Sequence, residues 1–161
     1  MIEENFISIN LQKFQIMMEE VGPEVSDIET VIQNEDRDWA IQFEDQTIVT
    51  LEWADNPDKV VLSTILGKPT QKNQLSVYET LLCYNLLWRD TGGVKMALGG
   101  PEGEILLIYE MYIQETNLNE FKTVLLNFLN IAKVWEVFIQ SEDSSMNETE
   151  HDSLDMLNFS A

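Results

Sequence analysis

Side chains that carry chemistry are scarce in this chain of 161 residues, which has one cysteine, Cys83, and one histidine, His151. A lone thiol cannot close an internal disulfide, which fits a reducing compartment. Zinc sites need several Cys or His ligands, and a Cys-His nucleophile pair would have to join a thiol inside an apolar segment to an imidazole near the C-terminus. Basic residues are also few: nine Lys and Arg stand against 29 Asp and Glu, a net charge of −20. Phosphate recognition depends on clustered cations, so nucleic acid is not expected as a partner, and an anionic membrane surface is disfavoured for the same reason. No run approaches the roughly 18 apolar residues of a membrane helix. Met1-Ile2-Glu3-Glu4-Asn5 also lacks the basic and apolar regions of a secretory signal. The expectation is a cytosolic protein, in which Asn147-Glu148-Thr149 and Asn158-Phe159-Ser160 have no meaning as glycosylation triplets.

Motifs that would hold a cofactor are missing as well. The glycine loop from Gly99 to Gly103 lacks the Lys-Ser or Lys-Thr of a phosphate loop and joins two strand-like segments, so it reads as a turn. There is no calcium loop with its central glycine and closing glutamate. Paired acids such as Asp36 and Asp38, or Glu44 and Asp45, are capable of acid-base work. Among 29 acids, however, such pairs arise freely on a solvated face. No cofactor is expected, and binding another polypeptide is favoured over catalysis.

What the chain does have is a 44% hydrophobic content, enough for the core of one domain. Residues 3 to 20 place Phe6, Ile9, Lys13, Ile16 and Glu20 on one helical line and Phe14, Met17, Met18 and Val21 on the next. This predicts a helix ending at Gly22-Pro23. Residues 23 to 38 are acidic and weakly patterned and read as a loop, with a short strand around Ile28 to Ile32. The period then becomes two. Trp39, Ile41 and Phe43, a turn at Glu44-Asp45-Gln46, and Thr47, Val49, Leu51 and Trp53 make an antiparallel hairpin. A second turn at Asp55-Asn56-Pro57-Asp58 leads to a third strand, Lys59 to Leu66, closed by Gly67.

Ser76 and Glu79 form a capping box, so a helix is expected to start there and run to Gly92-Gly93. Its body, Leu81-Leu82-Cys83-Tyr84-Asn85-Leu86-Leu87-Trp88, is apolar almost all the way round. A core position is expected for Cys83 on this basis. Such a helix cannot leave one face in water without a large hydrophobic penalty, and a second subunit is a natural cover. Val94, Met96 and Leu98 follow as a short strand, then Glu104 to Gln114 as a long one. Asn117 and Glu120 repeat the capping pattern before Phe121, Val124, Leu125, Phe128, Ala132, Trp135 and Phe138, a helix to about Gln140. Residues 141 to 161 carry six acids and no Lys or Arg and are expected to be a disordered tail beyond a domain of residues 1 to 140. Leu154, Met156, Leu157 and Phe159 within it are either a short binding motif or an ordinary terminus.

The predicted class is therefore α+β, a twisted antiparallel sheet of about five strands with three helices in the order α-β-β-β-α-β-β-α. This order resembles the class I chaperones of bacterial type III secretion, the Tir-chaperone family. The likeness lies in the leucine-rich helix at Leu81-Leu82-Cys83-Tyr84-Asn85, Gly93, the strand pair Val94 to Leu98 and Glu104 to Ile113, and the closing helix with its late Trp135. The hairpin from Trp39 to Trp53 matches too. The resemblance implies a homodimer that binds the N-terminal region of a secreted effector in the cytoplasm of a Gram-negative bacterium and hydrolyses no nucleotide. It implies a dimer interface at Leu82, Leu86, Leu87, Trp88 and Met96, and effector-binding grooves lined by Phe6, Phe14, Ile41, Phe43, Val49, Leu51 and Leu62. Any of these side chains could instead belong to the core. Acidity alone also suits an immunity protein that neutralises a basic toxin domain, and an enzyme using carboxylates alone would need a concave site with perturbed acids.

Overall fold

The computed structural model describes residues 8–141, which form three helices and six strands. In chain order these are α1 (Ile9–Glu24), β1 (Ile28–Glu35), β2 (Asp38–Phe43), β3 (Ile48–Ala54), β4 (Lys59–Gly67), α2 (Gln74–Leu86), β5 (Lys95–Leu98), β6 (Ile105–Tyr112) and α3 (Leu118–Gln140). The strands form one antiparallel sheet in the order β1-β2-β3-β4-β6-β5, so β1 and β5 are its edges. The described chain divides into two compact units. The first holds residues 8–62 and 111–124, the second residues 63–110 and 125–141. The expected tail lies outside the described residues, except for Ser141.

In the first unit, α1 starts at Ser8, whose hydroxyl accepts from the Asn10 N–H at 3.3 Å and donates to the Asp58 carboxylate at 2.6 Å. Leu11, Phe14, Met17, Met18 and Val21, spaced by helical turns, form its buried face. The helix passes through Gly22 and Pro23 and ends at Glu24, not at Gly22 as the sequence suggested. A proline in the last turn deletes one hydrogen bond at an end that is already fraying, so the turns before it are unaffected.

In the acidic segment, the short strand expected around Ile28 to Ile32 is present and longer: β1 spans eight residues and pairs with β2 through Val31↔Ile41 and Gln33↔Trp39. It raises the strand count from five to six. A bulge between Ile28 and Thr30 breaks its alternation, and as an edge strand it buries little, so its sequence carries a weak signal. The β2–β3 hairpin follows the predicted register, Trp39↔Leu51 and Ile41↔Val49. Its turn is held by the Thr47 N–H donating to Asp45 Oδ1 at 3.0 Å.

In the second unit, α2 begins at Gln74 after Asn73, earlier than the Ser76 start that the capping pattern predicts. Ser76 sits within the first turn instead. The helix ends at Leu86, and Leu87 and Trp88 lie in the turns that follow, where the Leu87 N–H donates to the Tyr84 carbonyl at 2.9 Å. The loop between β5 and β6 is tight enough that a Cβ on Gly103 would fall 2.8 Å from the Gly100 nitrogen, which explains glycine there. The predicted cap of α3 is present. Glu120 N–H donates to Asn117 Oδ1 at 3.1 Å, and Asn117 N–H donates to Glu120 Oε2 at 2.9 Å.

Candidate functional site

Two surfaces, one in each unit, leave bonding capacity or apolar area uncovered. In the second unit, α2 buries only Val77, Leu81 and Tyr84. Leu75, Leu82 and Leu86 are 71%, 69% and 77% exposed, and Trp88 beyond the helix is 62% exposed. Leu87 is exposed too, so four of the five residues assigned to a dimer interface stand in solvent. Met96 does not, being buried in β5. Cys83, expected in the core, is exposed on the same stretch, because the helix packs its own unit through one narrow stripe and position 83 lies off it.

The backbone of β5 is already occupied at this edge of the sheet. Asn85 Nδ2 donates to the Met96 carbonyl at 3.0 Å, and the Met96 N–H donates to Asn85 Oδ1 at 2.8 Å. In an antiparallel strand the N–H and C=O of one residue point the same way, so this clasp takes both groups that Met96 turns away from β6. With only four residues in β5, little of that edge remains to template another strand.

In the first unit the opposite condition holds. The edge strand β1 is eight residues long, and among the described residues no side-chain hydrogen bond closes its outer backbone. Between β1 and α1 lies a cleft of about 690 Å³. Met18, Val31 and Trp39 line it with apolar atoms, Pro23 and Ile28 flank them, and Glu19 and Glu29 supply carboxylates. Gln42 Nε2 donates to Glu29 at 3.0 Å and fixes one of these.

The residues assigned to the groove by resemblance are placed differently. Phe14, Ile41, Phe43, Val49, Leu51 and Leu62 are all buried, and Phe6 lies outside the described residues. Phe14 has no exposed area, and its ring meets Trp39, Phe121 and Trp53 at centroid distances of 5.1, 5.7 and 6.1 Å. These side chains fill the core because the inward face of the hairpin is covered by α1 and the start of α3. They shape the surface from beneath and have no free face of their own. Of the cleft residues that do have one, those of β1 belong to the segment the sequence left weakly patterned, and Glu19 lies within the predicted first helix.

Titration is perturbed at few places. The indole N–H of Trp53 donates to Asp55 at 2.9 Å and the Arg37 guanidinium pairs with it, which together hold the Asp55 carboxyl below the usual carboxylate range. Burial pushes the Tyr84 and Tyr109 hydroxyls up. For Tyr84 the nearby Trp135 indole offsets part of that rise without forming a hydrogen bond of good geometry. Among the described residues no His, Cys, Asp and Glu cluster could hold a metal ion, and no helix is long and apolar enough to cross a membrane. This arrangement offers backbone pairing, apolar burial and negative charge.

Comparison with known proteins gives a consistent picture. A sequence model of the Tir chaperone protein (CesT) family matches residues 27–136. No curated protein matches the sequence. Among solved structures, the fold is similar to a chain of the ExsC–ExsE complex, with a TM-score of 0.70, 15% identity, and coverage of 84% of this chain and 99% of that one. It is similar to a chain of the HopA1–SchA chaperone–effector complex, with a TM-score of 0.63, 11% identity and coverage of 81% and 98%. It is also similar to the Yersinia pestis type III secretion chaperone SycH, solved with a stable fragment of YscM2, with a TM-score of 0.58, 23% identity and coverage of 76% and 98%.

Proposed function

Because the chain belongs to the Tir chaperone protein (CesT) family, the class I chaperones of type III secretion, we propose that it is a cytoplasmic, homodimeric chaperone that binds the N-terminal region of a secreted effector. It keeps that region extended and competent for export, and it does so without nucleotide hydrolysis or any other catalysis. The effector segment adds as a strand to the open edge of β1 and lays apolar side chains into the cleft beside α1. Backbone hydrogen bonds supply much of the affinity and the cleft supplies selectivity. The observation that carries this reading is the contrast between the two sheet edges: β5 is clasped by Asn85, whereas β1 is long and open.

Self-association belongs to the other unit. Leu75, Leu82, Leu86, Leu87 and Trp88 present apolar area that two copies bury by symmetry. Full burial of a Leu side chain contributes about 2 kcal/mol, so four or five of them from each subunit offset the entropy of association. The alternative of an immunity protein draws on acidity alone, a property the chaperone reading shares.

The test is co-expression with N-terminal fragments of candidate secreted proteins, followed by hydrogen exchange on the purified complex. The expected result is a stable complex in which the amides of Ile28–Glu35 gain protection while those of β5 do not change. A stable complex with β1 unprotected removes the strand-addition mechanism. Failure to form a complex with any secreted protein removes the chaperone function.

A further inference from the structure

Charge is divided unequally between the two units. The described residues of the first carry fifteen acids and four bases, a net of −11, and those of the second carry six acids and five bases, a net of −1. Among the described residues, acidity is therefore concentrated in the unit with the open strand edge. Within that unit, Glu19 and Glu29 line the cleft and no basic side chain does.

We infer that the segment taken up at this cleft is a basic strand, in which Lys or Arg side chains alternate with apolar ones. This rests on the strand-addition reading above and adds the chemistry of the partner. A strand laid beside β1 presents alternate side chains to the cleft. Apolar ones reach Pro23, Ile28 and Val31, with Met18 and Trp39 themselves almost wholly buried. Long basic side chains at the margins lie along the apolar wall by their stems and bring their charges to Glu19 and Glu29. At physiological salt, screening acts over about 8 Å, so these local carboxylates set the affinity, and the remaining acids of the unit chiefly accelerate encounter.

Charge also excludes the other occupants. Residues 142–161 of the same chain hold six acids and no Lys or Arg, and the unit repels them. A second copy docked here would set one net −11 surface against another.

Fluorescence anisotropy on the full chain tests this with three labelled peptides of about ten residues, enough to span the eight of β1. All share the same alternating apolar positions, and their polar positions are Lys, Thr or Glu. The Lys peptide is expected to bind about fivefold more tightly than the Thr peptide and the Glu peptide least, from two exposed ion pairs of roughly 0.5 kcal/mol each. That advantage shrinks from about 50 to about 500 mM salt. E19Q/E29Q abolishes most of the advantage, whereas E52Q/E115Q, with the same change in net charge away from the cleft, preserves it. Equal binding of the Lys and Thr peptides, or an advantage lost equally in both variants, overturns the basic-strand inference while strand addition stands. Binding by none of the three overturns strand addition and this inference with it.

Discussion

The two units bury ordinary cores but turn different surfaces to water. The first is strongly acidic and keeps an unpaired strand edge beside a cleft. The second is almost neutral over its described residues, occupies its strand edge at Met96 with Asn85, and leaves a leucine face bare on α2. Like charges oppose self-association, so an acidic surface suits a foreign basic partner, and an uncharged apolar face tolerates a second copy of itself. The even buried aromatics differ between units. Trp53 in the first donates to Asp55, but Trp135 in the second packs edge-to-face on Tyr84 at 4.7 Å with no acceptor for its N–H. The two proposed interactions divide along the same line, a charged face for a foreign partner and an uncharged apolar face for a second copy.

The sharpest way to break this comparison is to give the second unit the charge it lacks. Leu82→Asp with Leu86→Asp places four carboxylates in the proposed dimer interface and removes four leucines from it. We expect a loss of at least about 6 kcal/mol of association free energy, enough to leave a monomer at micromolar concentration. Light scattering reads the mass. Both positions are exposed in the single chain, so the fold itself is expected to survive. A double variant that remains dimeric places the interface elsewhere.

Next in size is Phe14→Ala, which asks whether the first unit uses this ring for partner contact or for its own core. Complete burial among Trp39, Trp53 and Phe121 predicts a core role, with a loss of about 4 kcal/mol in chemical denaturation. If the ring served mainly as a groove wall, stability would change by less than about 1 kcal/mol while partner affinity fell.

The residues just discussed also show where the sequence was legible. The α3 cap, the β2–β3 register and the stripe Phe14, Met17, Met18 and Val21 were all readable because each is a local pattern whose period matches its element. The uncovered face of α2 was readable for a related reason: a helix apolar on every side has more such surface than one unit can hide. β1 was readable only as the short strand around Ile28 to Ile32, since the rest of this irregular edge strand owes its form to pairing with β2 and not to its own alternation. The cleft beside α1 has no such local pattern, and hairpin residues such as Ile41 and Val49, which the resemblance implies for a groove, lie buried. Alternation names the inward face, but only tertiary structure shows that α1 covers it. The signal for the cleft was partly present, in the short strand expected around Ile28 to Ile32 beside a cluster of acids.

The smallest expected effect separates the units by pH. Asp55 of the first unit has its pKa lowered by Trp53 and Arg37, so its contribution is present above the unfolded value of 3.8 and is lost as pH falls through the lowered one. Tyr84 and Tyr109 of the second have theirs raised, chiefly by burial. Their contribution is present below the unfolded value of 10.0 and is lost as pH rises through the raised one, because the unfolded chain releases those protons first. Asp55 thus contributes to the acid limb of the stability profile, and Tyr84 and Tyr109 to the alkaline limb. Tyr84→Phe should leave neutral-pH stability within about 1 kcal/mol of the parent, since it removes a buried hydroxyl that has no partner. Above pH 10 it should flatten the alkaline loss while the acid limb stays unchanged, as measured by thermal melts across the two ranges. Parallel alkaline limbs in parent and variant would mean that Tyr84 keeps its ordinary ionisation in the fold, and the contrast between the units would not extend to titration.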